Sequence, residues 1–107
     1  DKLEGRVTTY QGEKYEGRIV YDLDEAEGFE IMNGKVGDLE FYIPFSFIKS
    51  IQPKGRQSSE IALRNGEKLR LEDGQDVSDY NDGILVFKDE NNHTYIDWED
   101  VDKIEFR

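Results

Sequence analysis

The chain has no cysteine, which removes at once a disulfide framework, a thiolate metal site and a cysteine nucleophile. It has one histidine, His93, set in the polar run "DENNHTY", where a turn residue is expected. A lone imidazole without a nucleophile or an orienting partner in the pattern makes a weak case for catalysis. Basic residues are few: 14 Lys and Arg stand against 25 Asp and Glu, giving −11 at pH 7. That field repels phosphate backbones and anionic membrane surfaces, so neither nucleic acid nor membrane insertion is expected. No apolar run approaches the roughly 20 residues of a membrane span, and no hydrophobic signal segment is seen. The chain opens on Asp1 rather than Met, as expected of a processed form. Helical periodicity is missing too, so any helix should be a single turn.

What the chain does have is a pattern written twice. "IPFSFIKSI" at 43–51 and "IDWEDVDKI" at 96–104 share one apolar frame, with Ile43, Phe45, Ile48 and Ile51 opposite Ile96, Trp98, Val101 and Ile104. Upstream, Val7 to Tyr15 aligns with Ile61 to Leu69, and Gly28–Ile31 with Gly83–Val86. Small length changes fall between these blocks, as in a duplicated unit. Residues 1–52 then form a first repeat, 53–59 a polar hinge and 60–107 a second repeat. Charge is shared evenly: 6 basic against 11 acidic side chains give −5 for residues 1–52, and 8 against 14 give −6 for the rest. Alternation such as Tyr15, Gly17, Ile19, Tyr21 reads as β-strand, and Gln11-Gly12 and Asn65-Gly66 read as hairpin turns. Pro44 suits the start of one helical turn, and Asp97 is expected to cap its counterpart.

The spacing of Val7, Gly12, Tyr15, Gly17 and Ile19 resembles the first motif of the Sm-like proteins, and "FYIPFSFIKSI" looks like the closing strand-turn-strand of the bacterial Sm-like RNA chaperone. The resemblance implies an all-β protein of two fused SH3-like, Sm-like small barrels related by internal duplication. It carries no RNA site over, because the family's Lys-His pair falls on Phe45 and Ser46 here. The duplicated pattern also resembles uncharacterised domains of bacterial extracytoplasmic proteins, which implies a periplasmic or secreted location.

Among candidate sites, Asp76, Asp79 and Asp82 lie on one Asp/Asn-rich turn whose hard oxygens suit Ca²⁺, although the ligand order of the common Ca²⁺ loop is absent. Asp22-Leu-Asp24-Glu25-Ala-Glu27 is the matching acidic loop. A solvated turn is the bland alternative, so any Ca²⁺ affinity should be weak. Phe47 is surplus to the repeated apolar frame, since its counterpart is Asp100. With Pro44 and Tyr42 it is expected either to cover the contact between the repeats or to dock a partner. The expectation is a non-catalytic interaction module that uses no cofactor and binds another protein or further domains of a longer precursor. The alternative is an extracellular Ca²⁺- or glycan-binding domain, suggested by the acidic loops and by Tyr10, Tyr42 and Tyr80. RNA binding ranks third.

Overall fold

The structure, a computed structural model, describes residues 1–107. The two-residue alternation becomes ten strands: β1 (Glu4–Thr9), β2 (Lys14–Tyr21), β3 (Ile31–Val36), β4 (Leu39–Pro44), β5 (Ile48–Lys54), β6 (Ser58–Leu63), β7 (Lys68–Glu72), β8 (Ile84–Phe87), β9 (His93–Ile96) and β10 (Val101–Phe106). Helix is confined to three 3₁₀ turns at Phe45–Phe47, Gln75–Val77 and Trp98–Asp100. Pro44 precedes the first turn as expected. Asp97 precedes the last but makes no side-chain cap; its Oδ1 instead accepts a hydrogen bond from the Tyr95 hydroxyl at 3.0 Å.

All pairings are antiparallel, and they join the strands into one sheet in the order β4-β3-β7-β6-β5-β10-β1-β2-β8-β9. The pairing runs from β4 to β9 as one continuous sheet that keeps these two strands as edges and does not close on itself. Nor does the sheet divide at 53–59. That segment is the end of the β5–β6 hairpin, with Pro53 opposite Ser59 and Ser58 and Ser59 buried. Strands β3–β7, contiguous from residue 31 to 72, form one run; β1 and β2 join β8–β10 in the other. The chain therefore crosses between runs twice, at 22–30 and at 73–83. The two runs meet where β10 pairs with β5, with Ile104 opposite Ile51.

A single cluster of 19 buried apolar residues lies under both runs, so there is one core. All eight positions of the repeated frame are in it. At its centre Tyr21 packs 5.1 Å from the Phe45 ring and, edge-on, 5.9 Å from Trp98, joining the closing turns of both sequence repeats. Phe47 is not part of it. That residue is 61% exposed, as is Tyr42 at 65%, so the contact that Phe47, Pro44 and Tyr42 were expected to cover is not sealed by them. The 3₁₀ turn places Phe45 inward and Phe47, two residues on, outward.

Gly5 and Gly17 face each other across β1 and β2. A Cβ on Gly17 would lie 2.1 Å from the Phe87 carbonyl oxygen, and its φ of 152° is one that L side chains rarely adopt. This glycine lets β2 approach β8, which with the β1–β10 pairing joins the N-terminal strands to the C-terminal ones. Gly17→Ala should therefore cost about 3 kcal/mol or more in urea denaturation, whereas Gly12→Ala, with open space around its Cβ position, should cost about 1 kcal/mol for its positive φ alone.

Candidate functional site

The two crossovers are the acidic loops singled out by composition, and they lie side by side. The first begins with a sharp reversal: Asp22 and Leu23 both have φ near 55°, a left-handed pair rare outside glycine. The reversal turns the Asp22 carboxylate toward the second crossover, where its Oδ1 accepts the Asp82 N–H at 2.5 Å and a long bond from Gln75 Nε2 at 3.5 Å. Within the second crossover, the 3₁₀ turn at Gln75–Val77 presents Asp76, whose Oδ2 accepts the Asn33 N–H at 2.9 Å. The Asp76 carbonyl is held by the Tyr21 hydroxyl and by Asn81 Nδ2 at 3.0 Å. The core tyrosine thus fixes the backbone that carries the carboxylate.

Glu25 completes the group. One carboxylate oxygen from each of Asp22, Glu25 and Asp76 lies within 4.8 Å of the other two. All three residues are more than nine-tenths buried, with relative exposures of 6%, 7% and 7%. Asp22 and Asp76 are satisfied by backbone N–H groups, but Glu25 Oε2 is sealed from solvent with no hydrogen-bond partner. Buried polar atoms are nearly always paired, so this oxygen is an exception that asks for a cause.

The surroundings have consequences for the protons. Burial lifts the Asp22 carboxyl to about 6, opposed by the Asp82 N–H and assisted by the Asp76 charge. Burial is also the largest cause for Glu25, pushed up to about 9, followed by its contact with the Asp76 carboxyl and the charges of Asp22 and Asp24. The Tyr21 hydroxyl is raised well above its ordinary value by burial and then by the same three acids.

Above the three carboxylates opens a cleft of about 680 Å³, lined also by Leu23, Asp24, Glu30, Ile31, Asn33, Gln75 and Asp82. Six of its ten lining residues are acidic and none is basic.

Of the expected metal ligands, only Asp76 is in the cluster. Asp82 lies on the cleft wall, contributing its N–H to Asp22, with its Oδ2 3.4 Å from Gln75 Nε2. Asp79 is elsewhere, paired with Arg56 at 3.1 Å. Asp22 and Glu25 are the residues that sequence reasoning did not bring to Asp76. Sequence alone marked them only as members of a second acidic loop, 22–27, with nothing to bring that loop to Asp76. His93 is exposed on β9, its ring 5.1 Å from that of Phe87, and is not among the residues of this cleft. No helix is long and apolar enough to cross a membrane. Comparison with protein families, with curated proteins and with solved structures finds no match to this chain.

Proposed function

We propose that the protein is a non-catalytic interaction module whose ligand presents positive charge to the cleft between the crossovers. The observation that carries this is the lining: six carboxylates without one compensating base, in a recess of ligand size. Grouped carboxylates that lack a base raise the energy of the empty site, and any cation that enters relieves it. An acid–base hydrolase is the weaker use of the same residues, because Asp22 and Asp76 are tied to backbone donors rather than freed toward a substrate.

The finer architecture belongs to the same proposal. Each run of five strands ends on a strand preceded by a one-turn 3₁₀ helix, Phe45–Phe47 before β5 and Trp98–Asp100 before β10, which supports two SH3-like, Sm-like units derived from one duplicated segment. An extracytoplasmic setting, with a protein partner or neighbouring domain supplying the cation, fits this reading.

Calorimetric titration with a tetralysine peptide tests the function. We expect binding that weakens as salt rises, and at least a tenfold loss in the Asp24→Asn/Asp82→Asn double variant, which removes two exposed wall charges. Absence of binding, or equal binding by the double variant, would refute a cation-accepting cleft.

A further inference from the structure

We infer that the floor of this cleft is a Ca²⁺ site formed by Asp22, Glu25 and Asp76, an inference that rests on the cation-accepting reading and names the ion. Three carboxylates converge from two separate crossovers, and one of their oxygens, Glu25 Oε2, is buried without a partner. An inorganic cation is small enough to reach that oxygen at the floor of the cleft, where the ammonium or guanidinium group of a side chain is too bulky. Geometry selects among the divalent ions. The three oxygens lie within 4.8 Å of one another, close enough for one ion to bridge them, and Ca²⁺ accepts an irregular shell of carboxylates and waters where Mg²⁺ demands a near-ideal octahedron. The backbone bonds from Asp82 and Asn33 hold Asp22 and Asp76 in place and resist the adjustment that a regular octahedron would require.

The same bonds limit the ligand count. Asp22 and Asp76 each commit one oxygen to an N–H and keep one for the ion, and Glu25 offers the unpartnered Oε2. That makes about three protein oxygens against the six to eight that Ca²⁺ takes, so water in the open cleft fills the remaining positions. An incomplete protein shell places the affinity in the range of extracellular modules, on the order of 10⁻⁴ M. The ion would bind residues of the outgoing crossover, 22–30, and of the returning one, 73–83, and so tie together the two ends of the contiguous run β3–β7.

The test is titration of EDTA-treated protein with CaCl₂ and, separately, MgCl₂, followed by calorimetry and by the melting temperature. The expected results are one Ca²⁺ site with Kd on the order of 10⁻⁴ M, at least tenfold preference over Mg²⁺, and at least tenfold weakening in Glu25→Gln and in Asp76→Asn. Asp79→Asn, whose side chain is paired with Arg56, should bind as the unaltered protein does. Circular dichroism checks that each variant is folded, so that a loss of binding reads the missing ligand and not unfolding. No heat and no melting shift at 10 mM CaCl₂, about a hundredfold the expected Kd, would overturn the inference, as would equal binding by Glu25→Gln. If tetralysine binds and Ca²⁺ does not, the ion is wrong and the cation-accepting cleft stands; if neither binds, both fall.

Discussion

Trp98→Ala is expected to lower the unfolding free energy by about 3 to 5 kcal/mol, the usual cost of deleting a buried indole. For a domain of this size that is a large part of the whole. Trp98 is 5% exposed, contacts Tyr21 edge-on and begins the turn that leads into β10, the strand through which the two runs of sheet are joined. The control lies at the equivalent turn. Phe47→Asp changes a large apolar side chain to a charge, yet at 61% exposure it should shift stability by no more than about 0.5 kcal/mol. Guanidinium denaturation monitored by far-UV circular dichroism reads both. A large loss in Phe47→Asp with a small one in Trp98→Ala would invert the core assignment.

In EDTA the protein should become less stable as pH rises from 5 to 8, the reverse of ordinary acid denaturation. In the unfolded chain Asp and Glu release their protons near 3.9 and 4.3. Folded, Asp22 holds its proton to about 6 and Glu25 to about 9. The folded state therefore binds more protons across this interval, and stability falls with pH wherever that is so. The contribution is fully present below about pH 4 and is lost as pH rises through about 6 and on towards 9. Between pH 5 and 8 the two groups together should remove about 2 to 5 kcal/mol. Glu25→Gln should flatten most of that slope and be the more stable protein at pH 8. Urea unfolding at several pH values measures it, and a stability that climbs from pH 5 to 8 would mean that these carboxyls ionise without penalty.

The strands and turns of this fold are written locally and could be read. Alternation placed Ile19 and Tyr21 inward, Gly12 and Gly66 have the positive φ that their turns need, and every residue of the repeated frame from Ile43 to Ile104 is buried. The exposed pair Phe47 and Asp100 shows that the frame, rather than the hydrophobicity of one residue, decides which side faces the core. What could not be read is which strand pairs with which. When two segments carry the same frame, β2 meets a suitable neighbour in either β3 or β8, and alternation cannot choose between them. The choice falls to the conformation of the 22–30 crossover, where the left-handed backbone of Asp22 and Leu23 turns the chain away. The site was hidden for the same reason. Its acids were conspicuous as two loops, but their convergence exists only once the crossovers run side by side.

The placement of β10 bears on how the protein is made. Its neighbours are β5 on one side and β1 on the other, so the last strand of the chain fills the gap between strands synthesised much earlier. Thr8 of β1 must wait for Lys103, and until then both β1 and β5 present unpaired backbone groups on a nascent chain. The sheet cannot close around its middle until β10 has been made, and the waiting edges are open to any other extended chain nearby. The excess of acid bears on that interval, because −5 within residues 1–52 sets up repulsion between copies whose central strand is still missing.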